Sequence, residues 1–249
     1  MSAVLQTTKL CKSFGALTVA ADINFALEPG ARHALIGPNG AGKTTFVNLL
    51  TGRLAPSSGS VMLAGQDVSQ LDMAQRVKRG IGRTFQINTL FGNMSVLDNV
   101  ALGVAERRGA AGGWWKPAGA LSAVRDEAIE LLTLLGIADD APQRVLDLPY
   151  GKQRLVEIAI ALGLKPKVLL LDEPAAGVPK AESTRILDAL GQLPKDIAIL
   201  IIEHDMDLVF RFAERITVMV QGEVLCEGTP AEIENDARVR EVYLGESHG

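Results

Sequence analysis

Residues 37–45 read Gly37, Pro38, Asn39, Gly40, Ala41, Gly42, Lys43, Thr44, Thr45, and this stretch decides the fold. It fits G-x-x-x-x-G-K-[ST], with Gly37, Gly42, Lys43 and Thr44 in the fixed places. A short apolar run, residues 32–36, leads in, and a helical pattern over residues 43–51 leads out. The glycines let successive backbone N–H groups converge on phosphate oxygens. A helix that starts there points its positive end at the same spot. Lys43 supplies a charge for the outer phosphates, and the Thr44 hydroxyl is placed for Mg²⁺. An ordinary glycine-rich turn needs neither the lysine nor the strand-to-helix setting, so the stretch is read as a phosphate-binding loop.

Working outward, residues 168–172 and 197–203 are apolar runs of strand length. They alternate with helical patterns over residues 181–193 and 205–212. Continuous apolar strands between helices predict an α/β fold whose parallel sheet is covered on both faces. Upstream, residues 4–36 read as strands, residues 54–59 as a loop, and residues 61–63 and 81–85 as short strands. From residue 87 to about 165 helical patterns dominate, at 95–106, 121–135 and 153–162. Ser122 is read as an N-cap, and Gly136 sits where a helix C-terminus is expected. Residues 109–119 form a turn-rich loop holding Trp114 and Trp115, and residues 215–220 and 223–227 predict a hairpin around Gly222. The expected organisation is one domain. Residues 1–86 and 166–227 form the core, 87–165 an inserted helical lobe, and 228–249 a C-terminal tail.

The composition excludes several classes. Of 249 residues, 47% are hydrophobic and 22% charged, which suits a folded chain with a sizeable core. The formal net charge is -4 and no block of Lys and Arg is present, against a nucleic-acid partner. The two cysteines, Cys11 and Cys226, lie far apart and are read as reduced thiols. No apolar run approaches the roughly 20 residues of a spanning helix, so the chain is expected to be soluble when isolated and to meet a membrane only through a partner.

The strand over residues 168–172 ends in Asp172 and is followed by Glu173. A dry strand that delivers two carboxylates at its C-terminal edge is costly unless a cation waits there. Nucleotide loops gather at that edge of open α/β sheets. Asp172 is positioned to hold Mg²⁺ through water, and Glu173 is the natural general base for a water attacking a γ-phosphate. His204 follows the second buried strand and falls beside the same phosphate. Gln86 ends the strand ahead of the helical lobe, where it is placed to report phosphate and metal occupancy.

These residues resemble the ATP-binding cassette ATPase family over nearly the whole chain. The order runs from GPNGAGKTT through Gln86, a helical lobe, LPYGKQR and LLLDEP to EHD. Closer features, GIGRTFQ with LFGNMSVLDNV, YGKQRLVEIA, DEPAAGVP and EGTPAEIENDARVREVYLGE, resemble the ATP-binding subunits of branched-chain amino-acid importers. The resemblance implies a P-loop NTPase core of RecA-like type, mostly parallel, with an N-terminal antiparallel β-subdomain and an inserted α-helical subdomain. It implies ATP and Mg²⁺ as cofactors and Lys43, Gln86, Glu173 and His204 as the catalytic set. Thr44, Gln86 and Asp172 would face the metal, and Phe14 would stack on adenine. Two cassettes, alike or different, would close head to tail on ATP. They would drive transmembrane permease subunits at the cytoplasmic face of the membrane, fed indirectly by a solute-binding protein.

The family's signature usually reads LSGGQ, whereas residues 148–152 read LPYGK. Pro149 has neither a hydroxyl nor a backbone N–H, and Tyr150 replaces a glycine. Gly151 remains, Lys152 adds charge, and Gln153 with Arg154 is read as opening the next helix. Pro179 stands where the family often has Asp or Asn. Alternatives are an exporter cassette for a lipid or glycolipid, a non-transport cassette ATPase, and a small-molecule kinase. The non-transport class would show a coiled coil, two cassettes, zinc-binding cysteines or a basic face. A kinase would need an acceptor site.

Overall fold

The computed structural model describes residues 2–84, 90–109 and 118–245. Ten strands and nine α-helices are found among them. Strands β1 (Leu5–Phe14), β2 (Leu17–Leu27), β4 (Ser58–Leu63) and β5 (Gln66–Asp67) form an antiparallel sheet in the order β2-β1-β4-β5. The other six are β3 (Arg32–Ile36), β6 (Ile81–Arg83), β7 (Val168–Asp172), β8 (Ala198–Ile202), β9 (Arg215–Val220) and β10 (Glu223–Gly228), in the order β10-β9-β3-β8-β7-β6. Every pairing in this second sheet is parallel except β10 with β9. The expected α/β class, with its antiparallel N-terminal sheet, is therefore observed.

Strands β3, β7 and β8 are buried at all five positions. Helices cover both faces, as continuous apolar strands require. On one face Val168, Leu170 and Leu200 meet Phe46 and Leu50 of α1 (Lys43–Thr51) and the inner side of the antiparallel sheet. On the other, Leu169, Leu171 and Ile201 meet α5 (Tyr150–Gly163) and α6 (Lys180–Gly191). Alternate residues of one strand thus serve two separate cores. Burying one such leucine contributes about 1.5–3 kcal/mol.

Helix α2 (Met73–Arg79) was not anticipated, although Asp72 and Gln75 form a capping box at its start. Helices α3 (Val96–Arg107) and α4 (Ala118–Leu134) follow, with Ser95 capping α3 through the Asp98 amide. Ser122 is not the N-cap of α4. The helix begins at Ala118, four residues earlier, so Ser122 lies inside it. In the sequence Pro117 stands directly ahead of Ala118, a start signal that outranks an isolated serine. Helix α5 likewise opens at Tyr150 rather than Gln153, because Pro149 is its N-cap and its carbonyl accepts from the Lys152 and Gln153 amides. Helices α7 (Met206–Phe212), α8 (Pro230–Asn235) and α9 (Ala237–Gly245) complete the chain. The β9–β10 hairpin turns at Gln221 and Gly222, both at positive φ. No helix among the described residues is long and apolar enough to cross a membrane.

Candidate active site

The parallel strands bring the loops that follow β3, β7, β8 and β9 to one edge of the sheet. The register places Leu35 beside Ile202 and Asp172 beside the same Ile202, so the loops after β3 and β7 flank the end of β8. A cleft of about 500 Å³ opens there. Asn39, Gly40, Ala41, Gly42, Lys43, Thr44 and Thr45 line it, with Asp172 and Glu173 opposite. Leu17, Thr18 and Val19 form a further wall with Gln221 and Gly222. A larger cavity of about 690 Å³ lies at the opposite ends of β6 and β7, away from the phosphate loop. The smaller cleft is the one that brings the glycine-rich loop and the two carboxylates together.

The loop is built by its glycines. Gly37 has φ 152° and approaches the Met219 carbonyl so closely that any Cβ would collide with it. Gly42 is the N-cap of α1 at φ 95° and brings no side-chain acceptor. The leading amides of α1 therefore face the cleft with no competing side-chain cap, and no acidic residue occupies the first turn. The Lys43 ammonium donates to the carbonyls of Gly37 and Pro38 at 2.6 and 2.9 Å. A phosphate oxygen would compete with these carbonyls for the same donor.

Asp172 ends β7, almost fully buried, and its Oδ2 accepts from the Arg83 Nη2 at 3.0 Å. Glu173 follows in a left-handed conformation, φ 47°, which is strained for a residue with a Cβ. Its amide donates to the Ile202 carbonyl at 2.9 Å, which ties it to the end of β8. His204 follows β8, two-thirds exposed, with Nδ1 3.7 Å from Glu173 Oε1 and 3.9 Å from Glu203 Oε2. Glu203 is buried, and its carboxylate accepts from the Ala175 and His204 amides. Burial pushes the Glu203 pKa above the ordinary carboxylate value, against the pull of those amides, while the nearby Glu173 charge pushes the same way as burial.

The donor set fits Mg²⁺. Thr44 and Asp172 offer oxygen alone, and no group of three His, Cys, Asp or Glu that could hold a metal occurs among the described residues. A hard ion that keeps most of its waters and takes phosphate oxygens suits such a site.

The structure also locates the other predicted residues. Phe14 is 52% exposed at the end of β1 with the Lys12 ammonium 5.1 Å from its ring centre, so it is not a core residue. It does not line the 500 Å³ cleft. Gln86, Trp114 and Trp115 lie outside the described residues. Tyr150 and Gly151 open α5, and Arg154 stacks 5.0 Å over the Tyr150 ring. A Cβ on Gly151 would meet the Glu182 carboxylate of α6, so a larger residue there would make that side chain move aside. The Lys152 ammonium is engaged by Asp140 at 2.7 Å. Both cysteines are free thiols.

Sequence reasoning missed Arg83, Asn48 and Glu203. Arg83 shares one face of β6 with the buried Ile81, two residues earlier, so a charge on the inward face of a strand is the available signal. Glu203 was signalled by a carboxylate directly after five buried residues.

The ABC transporter family pattern matches residues 20–176, and that of the branched-chain amino acid ATP-binding cassette transporter matches residues 223–249. The chain is 37% identical over 251 residues to the high-affinity branched-chain amino acid transport ATP-binding protein LivG of Escherichia coli K12, covering 98% of each chain. It is 34% identical over 253 residues to the corresponding protein BraF of Pseudomonas aeruginosa, again over 98% of each. Among solved structures, the ADP conformation of MJ1267, an ATP-binding cassette of an ABC transporter, has a TM-score of 0.86 at 29% identity. That likeness covers 98% of this chain and 100% of the other. It runs nearly end to end, and with the family pattern over residues 20–176 the chain belongs to the ABC transporter family as one of its ATPases.

Proposed function

We propose that this chain is the ATP-hydrolysing subunit of a membrane importer for branched-chain or related amino acids, working at the cytoplasmic face of the membrane. The observation that carries the reading is the cleft that joins Lys43 and Thr44 to Asp172 and Glu173, on a chain similar over its full length to LivG and BraF.

Lys43 and the leading amides of α1 hold the β- and γ-phosphates, and Phe14 stacks on the adenine. Thr44, Gln86 and Asp172 hold Mg²⁺, which when bound neutralises the phosphate oxygens. Glu173 accepts a proton from the attacking water, and His204, beside it, orients that water and the γ-phosphate. A carboxylate suits the task because the proton must leave as the new P–O bond forms. A second cassette, identical or homologous, presents its signature turn to the same γ-phosphate. Closure and reopening of the pair then drive two permease subunits, which receive solute from a separate binding protein.

The test is co-expression with candidate permease pairs, affinity capture, and reconstitution into proteoliposomes. ATP-dependent uptake of labelled leucine, isoleucine or valine that requires this chain is the expected result. Stable capture only with permeases that export lipid would replace the importer reading with the exporter one.

A further inference from the structure

The Arg83 guanidinium reaches two elements at once. Its Nη1 donates to Asn48 Oδ1 at 2.8 Å and its Nη2 to Asp172 Oδ2 at 3.0 Å. Both charged side chains are nearly buried, at 7% and 9% exposure. Asn48 lies on α1, four residues after Thr44, so the two share one face of the helix a turn apart. Arg83 therefore joins the helix that carries Thr44 to the strand end that carries Asp172, and these are two of the three groups read above as facing Mg²⁺. Its grip falls on Oδ2, and Asp172 still lines the phosphate cleft.

We infer that Arg83 is a positioning residue for the metal: it sets the distance between Thr44 and Asp172 and fixes the carboxylate so that its other oxygen faces the ion's water shell. Stability alone gives a poor reason for such a pair, since a buried ion pair often contributes no more than an apolar replacement of similar size. Geometry gives a better one. A planar fork can serve two acceptors on different elements in fixed directions, which a lysine ammonium cannot reproduce. The cationic charge of Arg83 works against the incoming metal, whereas its orientation of Asp172 works for it. The inference is that orientation dominates, as groups that hold metal ligands in place commonly change metal affinity by about 10–100-fold.

This inference rests on the reading of Asp172 as the metal-facing carboxylate, and the experiment separates the two. ADP affinity is measured by equilibrium dialysis in EDTA, and Mn²⁺ affinity of the ADP-loaded chain by electron paramagnetic resonance, so neither depends on turnover. Arg83→Met and Arg83→Lys are expected to keep the metal-free ADP affinity within about twofold and to weaken Mn²⁺ about tenfold. Asn48→Ala cuts the other arm of the fork and is expected to weaken Mn²⁺ by a smaller factor. This keeps the test open if either Arg83 variant fails to fold. In an Asp172→Asn chain, which has already lost the oriented carboxylate, Arg83→Met should add no further loss. Unchanged or tighter Mn²⁺ binding in Arg83→Met, or an undiminished effect in the Asp172→Asn background, would overturn the inference. A wild-type chain that binds ADP without any Mn²⁺ site would overturn the metal reading of Asp172 and the inference with it.

Discussion

The Glu173 Oε1 lies 3.7 Å from the His204 Nδ1, although the two residues come from the ends of different strands. The Glu173 amide is tied to the Ile202 carbonyl, and the His204 amide to the Glu203 carboxylate. The backbone thus sets both side chains before any nucleotide is considered. At 3.7 Å the contact is longer than a hydrogen bond and too close for a third atom between the two, so both can face one water or phosphate oxygen placed beside them.

Glu173→Gln keeps the shape of the side chain and removes its basicity. The expected outcome is a fall in the hydrolysis rate of about 10²–10⁴-fold with nearly unchanged ATP affinity, because a general base acts mainly in the transition state. An ATP-loaded dimer should accumulate. Single-turnover kinetics beside an equilibrium ATP titration read the two quantities separately, and wild-type hydrolysis in this variant would assign the base elsewhere.

Lys43→Ala should abolish measurable ATP binding in a chain that still folds. The Lys43 contacts to the Gly37 and Pro38 carbonyls lie within the loop itself, and the core behind it is built from Phe46, Val47, Leu49 and Leu50. A thermal melt near the wild-type midpoint establishes the fold. ATP affinity that survives in such a chain contradicts the phosphate assignment.

Pro149 caps α5 without a side-chain hydrogen bond, and the Lys152 ammonium is held by Asp140. Neither a hydroxyl nor a loose cation is therefore offered from these two positions to a partner's nucleotide. A hydrogen bond to a charged group contributes roughly 1.5–3 kcal/mol. The isolated chain is expected to be largely monomeric, and Pro149→Ser in the Glu173→Gln background should raise the dimer fraction at saturating MgATP. Sedimentation reads that fraction directly, and no rise would mean that the missing hydroxyl is not limiting.

His33 is buried in β3, where its Nε2 shares a 2.8 Å hydrogen bond with Thr217 Oγ1 and its ring meets the edge of Phe25. Burial lowers its pKa to about 4, with the Glu227 charge opposing the shift and Arg215 adding to it. The unfolded chain therefore takes up a proton that the folded chain refuses, and stability is lost as the pH falls from about 6.5 toward 4. Between about pH 7 and pH 5 this amounts to about 2 kcal/mol. In urea unfolding, His33→Gln should be less stable at neutral pH but lose about that much less over the same interval. Equal losses in both proteins would assign the acid sensitivity to other groups.

Local signals were enough for the nucleotide half of the molecule. The phosphate loop is short and contiguous, and its glycines and lysine name their own geometry, so α1 is found over residues 43–51 as the pattern predicts. The apolar runs before Asp172 and Glu203 marked β7 and β8 because a strand buried on both faces has no polar alternation to confuse it. Helix starts were less legible. Ser122 and Gln153 read as openings, but α4 already runs from Ala118, and α5 starts at Tyr150 with Pro149 as its N-cap.

What the sequence by itself determined is the set of chemical groups and the sheet edge to which they belong, since parallel topology sends every post-strand loop to one side. Only the tertiary structure decided which groups meet. Arg83 is 89 residues from Asp172 and 35 from Asn48, yet it bonds to both. Glu203 reaches back to the Ala175 amide across two strands' ends, and Asp140 claims Lys152. These pairings depend on strand order, on the one-residue register of β6 against β7, and on α1 lying over the same sheet face. None of those is encoded in a stretch short enough to read locally.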